Sequence, residues 1–107
     1  MSVIFLRCPL LPYAALALYP FILLRDKEQQ HNKVLVHHER IHHRQQLEML
    51  ILPFYLAYVL NYFFNLLKYR QHDRAYREII FEREAYIMEN DFRYLKERRL
   101  WGWMSFF

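Results

Sequence analysis

A chain of 107 residues has the length of one domain, and we interpret 1–107 as a single domain. Apolar residues make up 55% of the chain and aromatic residues 19%, more than globular domains usually contain, while 24% charged residues exclude a plain bundle of membrane spans. The formal net charge of +4 suits an anionic membrane surface. Basic residues alternate with acidic ones and form no recognised nucleic-acid motif, so we predict no nucleic-acid partner.

Residues 1–32 divide into an apolar segment and a polar loop. Three prolines interrupt the apolar run over 3–24, so one continuous spanning helix is not expected. We predict an apolar strand or short helix here, with 17–24 as the part best suited to a strand. The loop ends at Asn32, a residue type that favours the N-cap of a helix.

The next segment, 33–51, has the periodicity of an amphipathic helix. At about 100° per residue, His38 and His42 fall on the same face as the apolar positions. His37 and His43 fall outside that face, and we expect them to point outward. The helix therefore presents two inward histidines one turn apart.

A second helix is predicted over 53–69, because proline at position 53 suits a first helical turn. This segment is apolar on all sides except at Asn61 and Asn65. A helix of that kind is buried or lies in lipid, and a short chain has little interior to cover it. We therefore predict contact with a membrane or with another subunit in a homo- or hetero-oligomer.

The remaining residues predict one long amphipathic helix over 73–98 and an aromatic tail over 100–107, which suits an interfacial anchor. The predicted fold is thus mainly α, with three main helices and an N-terminal apolar strand or short helix. The helical core spans 33–99.

The first helix carries His-Glu-x-x-His at His38, Glu39 and His42. Two histidines four residues apart on one helix face can bind the same Zn²⁺ through their imidazole nitrogens. Zinc lowers the pKa of a water that it binds to roughly 7, and a glutamate beside the first histidine can take the proton of that water. We therefore predict His38 and His42 as metal ligands and Glu39 as the catalytic base.

A third ligand is expected downstream, and three glutamates are candidates. Glu82 lies on an apolar helical face with small residues that allow another helix to approach closely, so it is preferred. Glu84 falls in a polar neighbourhood and is expected to be a charge on the outer face. Glu78 remains a further alternative.

These segments resemble the zincin metallopeptidases, and among them the gluzincins, in which a first helix carries His-Glu-x-x-His and a second carries Glu-x-x-Ala-Asp. The matching residues here are His38-Glu39-Arg40-Ile41-His42 and Glu82-Arg83-Glu84-Ala85-Tyr86. The extension through Gln45-Gln46 is similar to compact bacterial metallopeptidase-like domains. The resemblance implies a minimal zincin-like core that binds Zn²⁺ through His38, His42 and Glu82, with Glu39 catalytic. Tyr86 departs from the pattern, because the family has an aspartate there that supports a zinc-binding histidine.

The sequence thus predicts a membrane-associated zinc metallopeptidase, placed at the inner membrane, that hydrolyses a peptide or protein substrate. The family pairs extended substrates with an edge strand, for which 17–24 is the candidate. A site that includes Glu82 also requires a break near Pro53 and a helical hairpin, because a continuous span would place Glu82 across the bilayer from the histidines. The main alternative is a non-catalytic small membrane protein whose His-rich helix binds a metal or a partner. A basic nucleic-acid binder, recognised by steep salt dependence, is a further alternative.

Overall fold

The computed structural model describes residues 3–107, which begin with a small three-stranded sheet. Its strands are β1 (Ile4–Arg7), β2 (Ala15–Leu18) and β3 (Phe21–Leu24). The strand order is β1-β3-β2, with β1 parallel and β2 antiparallel to the central β3. The segment 17–24, predicted as one strand, instead turns at Tyr19 and Pro20 and contributes to two. Proline lacks the N–H that a continuous central strand would need there.

The rest of the described chain is mainly helical, as predicted. The α-helices are α1 (Lys33–Met49), α2 (Ile51–Tyr69), α3 (His72–Arg77), α4 (Ile80–Met88) and α5 (Tyr94–Glu97). Short 3-10 helices cover Lys27–His31 and Gly102–Phe106. The predicted helices over 33–51 and 53–69 are confirmed within two residues of their bounds. Asn32 caps α1 as expected, since its side-chain oxygen accepts a hydrogen bond from the Leu35 N–H at 3.2 Å.

The predicted break near Pro53 is confirmed, and it lies at Leu50. Leu50 has a positive φ of 65°, which ends α1 and starts α2 in a new direction, with Pro53 in the first turn. Within residues 3–107, no single helix is long and apolar enough to cross a bilayer, and α1 and α2 satisfy that requirement only together, across a bend of 111°. After α2 the chain reverses at Arg70, and α3 packs against α2.

The prediction of one helix over 73–98 is wrong, because the structure divides this segment into α3, α4 and α5. Side chains of α2 bind the backbone at the first break. Asn61 Oδ1 accepts a hydrogen bond from the Ile80 N–H at 2.9 Å, and Asn65 Nδ2 donates to the Ala75 carbonyl at 3.1 Å. The two asparagines therefore satisfy backbone groups that a continuous helix would have paired internally. The break lets α4 leave the direction of α3 and pack against α1.

We expect Asn61→Leu to lower the free energy of unfolding by about 1–3 kcal/mol, because it leaves the half-buried Ile80 N–H without its partner. Denaturant unfolding measures the change. Phe64→Leu, at an exposed position of the same helix, is the control and should stay within about 0.5 kcal/mol of the wild type. Equal stability of the two variants would contradict this role of Asn61.

Glu84, predicted on the outer face, is fully buried at 0% exposure. The Arg98 guanidinium donates to Glu84 through Nε at 2.5 Å and Nη2 at 3.1 Å, and it also binds both oxygens of Glu48 on α1. Tyr94 donates a further hydrogen bond to Glu84. The segment after α4 folds back over Glu84, which sequence neighbours alone did not indicate. This buried cluster holds the C-terminal segment against α1 and α4.

The outward face of α2 is apolar and exposed. Its exposed side chains are Leu52, Leu56, Val59, Leu60, Phe63, Phe64 and Leu67. The inward face packs through Phe54 against Ile79, Ile80 and Phe81. Membrane or subunit contact at the outward face stays a prediction.

Candidate metal centre

The helix α1 directs His38 and His42 inward, and α4 brings Glu82 to meet them. All three side chains are buried. Glu82 Oε1 lies 3.0 Å from His38 Nε2 and 3.2 Å from His42 Nε2. The structure thus brings together the three predicted ligands, although Glu82 lies 44 positions after His38 in the chain. Two other glutamates were alternatives for the third metal ligand. Glu84 instead forms an ion pair with Arg98, and Glu78 is the C-cap of α3.

The donor set fits a metal ion. The three ligand atoms lie within 4.8 Å of one another. Ligand atoms about 2.1 Å from a tetrahedral Zn²⁺ stand about 3.4 Å apart, close to the separations from Glu82 Oε1. His42 Nε2 is buried and has no hydrogen-bond partner, since its approach to Glu82 lacks hydrogen-bond geometry. A buried nitrogen without a partner costs free energy, which a bound cation would recover.

His42 and Glu82 attract each other electrostatically. Burial disfavours the charged forms of both His42 and Glu82, but their mutual attraction outweighs it. The Glu82 carboxylate raises the pKa of His42 to about 9, and the histidines hold the pKa of Glu82 well below its usual range. The site is therefore electrostatically suited to a positive charge beside Glu82.

The carboxylate that supports His38 comes from Glu89, a residue that the sequence analysis did not identify. His38 Nδ1 lies 2.8 Å from Glu89 Oε2, which leaves Nε2 free to face Glu82. A carboxylate on the far nitrogen fixes the tautomer and orientation of a metal-binding histidine. Glu89 follows Glu82 by seven residues, two helical turns on the same face, and that spacing was the available signal. Tyr86 instead packs its ring edge-on against His38, with centroids 4.6 Å apart.

Gln45 gives His42 the corresponding support. The Gln45 amide nitrogen donates to the Phe81 carbonyl at 3.1 Å and to Glu84 at 2.7 Å. These bonds orient the amide so that its oxygen faces His42 Nδ1 at 2.7 Å. The Nδ1–H therefore donates to Gln45, and Nε2 is the nitrogen available to a metal.

Gln46, the second glutamine of the motif, ties α1 to the sheet. Its amide nitrogen donates to the Ala17 carbonyl at 3.0 Å, and its oxygen accepts from the Tyr19 N–H at 2.7 Å. Tyr55 also donates to the Ala17 carbonyl. The outer edge of β2 is thereby fixed beside the candidate metal ligands.

Glu39 is buried next to the ligands and lines the same cavity as His42 and Glu82. Burial raises the pKa of Glu39, while the neighbouring histidines and a hydrogen bond from the Ala17 backbone oppose this effect. A raised carboxylate pKa suits a group that must both accept and return a proton near neutral pH.

The prediction that His37 and His43 point outward is wrong, because both are buried. His43 Nε2 donates to the Phe21 carbonyl at 2.8 Å, and His37 Nδ1 lies 3.2 Å from the Glu89 carbonyl. Burial lowers the pKa of both histidines. The sheet covers one flank of α1 and the segment after α4 covers the other, so the helix has more than one buried face.

A cavity of about 460 Å³ opens beside the ligands. Its walls come from β2, α2 and α3, together with Glu39, His42 and Glu82. Tyr58 on α2 donates a hydrogen bond to Glu82 Oε2 at 2.6 Å, opposite the oxygen that faces the histidines. Burial and the Glu82 charge raise the pKa of Tyr58, which keeps the hydroxyl protonated as a donor.

We expect Glu89→Gln to weaken zinc affinity by about 10- to 100-fold, because the neutral amide supports the His38 imidazole less strongly than the carboxylate does. Competition with a chelator of known affinity measures the change. Glu97→Gln removes an exposed carboxylate and should leave the affinity unchanged. Equal affinities in both variants would remove Glu89 from the site.

No family model, curated protein or solved structure matches this chain.

Proposed function

We propose that this chain is a membrane-associated zinc metallopeptidase with a minimal zincin-like core formed by α1, α2 and α4. The observation that carries the proposal is the convergence of His38, His42 and Glu82 on one buried point. Glu89 and Gln45 orient the two imidazoles so that both Nε2 atoms face that point. Glu39 adds a buried carboxylate at the wall of the adjoining cavity.

When held by His38, His42 and Glu82, Zn²⁺ would polarise the peptide carbonyl and lower the pKa of a bound water molecule to about 7. The Glu39 carboxylate accepts a proton from the attacking water as its oxygen bonds to the peptide carbonyl carbon. Glu39 then returns that proton to the amide nitrogen as the C–N bond breaks, which releases the amine. The raised pKa of Glu39 favours this return.

The edge strand β2 supports the assignment of a peptide substrate. Ala15, Leu16 and Ala17 line the cavity that contains Glu39. An extended peptide can add to such an edge by backbone hydrogen bonds. The Ala17 carbonyl already accepts from Gln46 and Tyr55, so strand addition would use the edge at Ala15.

Zinc stoichiometry tests the metal centre. Purified protein should bind about one zinc per chain, and Glu82→Ala should lose it because two imidazoles alone leave the coordination incomplete. His43→Gln is the matched control, since His43 is equally buried on α1 but binds the Phe21 carbonyl. Wild-type protein that takes up no zinc after loading would overturn the proposal.

The exposed apolar face of α2 favours a second candidate, a non-catalytic membrane protein that binds a metal or a partner through α1. Where this second candidate binds a metal, it predicts zinc uptake just as the peptidase does. The two candidates separate when the zinc-loaded chain is incubated with a mixed peptide library: cleavage that depends on Glu39 supports the peptidase, and intact peptides support the alternative.

A further inference from the structure

The cavity beside the metal centre has the size of a ligand site. Its volume of about 460 Å³ lies within the roughly 300–1,000 Å³ of small-molecule sites. Small residues of β2, Ala15 and Ala17, form one wall and leave the space open toward the aromatic residues of α2. The lining residues from α2 and α3 are Phe54, Tyr55, Tyr58, Val59, Tyr62, Phe63, His72 and Tyr76.

The polar atoms of these walls are largely paired within the protein. The hydroxyls of Tyr55 and Tyr58 donate to Ala17 and Glu82. Tyr62 and Tyr13 pair their hydroxyls with His72 Nδ1 and Nε2, at 2.8 and 3.3 Å. Ring faces and methyl groups are left to contact a ligand. Among the described lining residues, no lysine or arginine is present to bind an acidic group.

On the α2 side, the mouth of the cavity is apolar as well. Val59 and Phe63 line the cavity and are also 44% and 55% exposed. They belong to the exposed apolar face of α2, so the mouth continues into that face. The carboxylates of Glu39 and Glu82 lie at the metal end, where a negatively charged side chain would be repelled.

We propose that this cavity is the specificity site of the enzyme, and that it binds one large apolar or aromatic side chain of a peptide next to the scissile bond. The inference rests on the proposed function, because the cavity shares Glu39, His42 and Glu82 with the metal centre. Burial of an apolar side chain against the tyrosine rings favours binding. A charged side chain would lose its hydration in the cavity, and the tyrosine hydroxyls, already hydrogen-bonded within the protein, would not replace it.

Peptides that differ only at the residue flanking the scissile bond test the specificity. With zinc-loaded protein, phenylalanine or leucine there should give a kcat/KM about 10- to 200-fold above alanine, and aspartate should give the lowest value. Val59→Trp fills the mouth and should remove the preference. Leu56→Trp, exposed on the same helix and outside the cavity, should keep it. Both variants are first checked for bound zinc, which shows that the core has folded.

Toluene, which imitates a phenylalanine side chain, supplies a readout independent of catalysis. Added to zinc-loaded protein, it should shift the NMR signals of α2 in the wild type and in Leu56→Trp but not in Val59→Trp. Equal cleavage of the alanine and phenylalanine peptides overturns the specificity site and leaves the peptidase standing. No cleavage of any peptide, with toluene still bound in this pattern, overturns the proposed peptidase and the substrate assignment together. Absence of toluene binding in the wild type contradicts the cavity assignment.

Discussion

Glu39→Gln is expected to lower kcat/KM for peptide hydrolysis by about 10²- to 10⁴-fold while zinc stays bound. The amide has the size of the carboxylate but cannot accept a proton from the attacking water. Because Glu39 is not among the three converging ligand residues, its change should leave zinc stoichiometry intact. The substitution also removes the free-energy cost of burying a negative charge at a nearly enclosed position. The variant should therefore be at least as stable as the wild type.

The control for Glu39 is Glu28→Gln, because Glu28 is an exposed glutamate in the 3-10 helix before α1. It should retain full activity. Initial rates with a cleaved peptide and zinc content measured on the same samples separate loss of chemistry from loss of metal. Activity in Glu39→Gln within a factor of three of the wild type would remove Glu39 from the mechanism.

Arg98→Leu is expected to lower the free energy of unfolding by about 3–5 kcal/mol, since it leaves the buried carboxylates of Glu84 and Glu48 without a counter-ion. Burial lowers the pKa of Arg98, but the two carboxylates outweigh burial and raise this pKa above its ordinary value. The direction shows that the cluster favours the charged guanidinium. Urea unfolding followed by circular dichroism measures the loss.

Arg99→Leu is the matched control for Arg98, because the neighbouring arginine is exposed. It should change stability by no more than about 0.5 kcal/mol. Adding Glu84→Gln to Arg98→Leu should recover part of the loss by removing one of the unpaired charges. An Arg98 variant as stable as the Arg99 variant would show that the buried cluster is not a source of stability.

Local patterns predicted the parts of this structure that depend on neighbouring residues. The helical periodicity around His38 and His42 was sufficient to predict α1. Pro53, a residue suited to a first helical turn, was sufficient to predict α2 and the break before it. The apolar surroundings of Glu82 within its own helix were sufficient to select it over Glu84 as the residue facing the histidines.

The errors arose where distant residues decide the outcome. At the break between α3 and α4, the free backbone groups form hydrogen bonds with Asn61 and Asn65, which belong to another helix. Glu84 is buried because Arg98 arrives from the C-terminal segment, and helical wheels carry no such information. The spacing of Glu89 from Glu82 placed both on one helix face, but the contact of Glu89 with His38 depends on how α4 packs against α1.

The hydrogen-bonded path from Arg98 to Glu84, Gln45 and His42 has a thermodynamic consequence. A cation bound at the proposed site would hold His42 in its binding orientation, which would also favour the Gln45 rotamer that faces Glu84 and the docking of the C-terminal segment. By linkage, a change that loosens the C-terminal segment would weaken the proposed metal binding by the same factor. Gly102 lies where a Cβ would approach Arg98 and Glu84 to 3.0–3.1 Å, so a side chain at this one position would weaken metal binding at the proposed site without touching it.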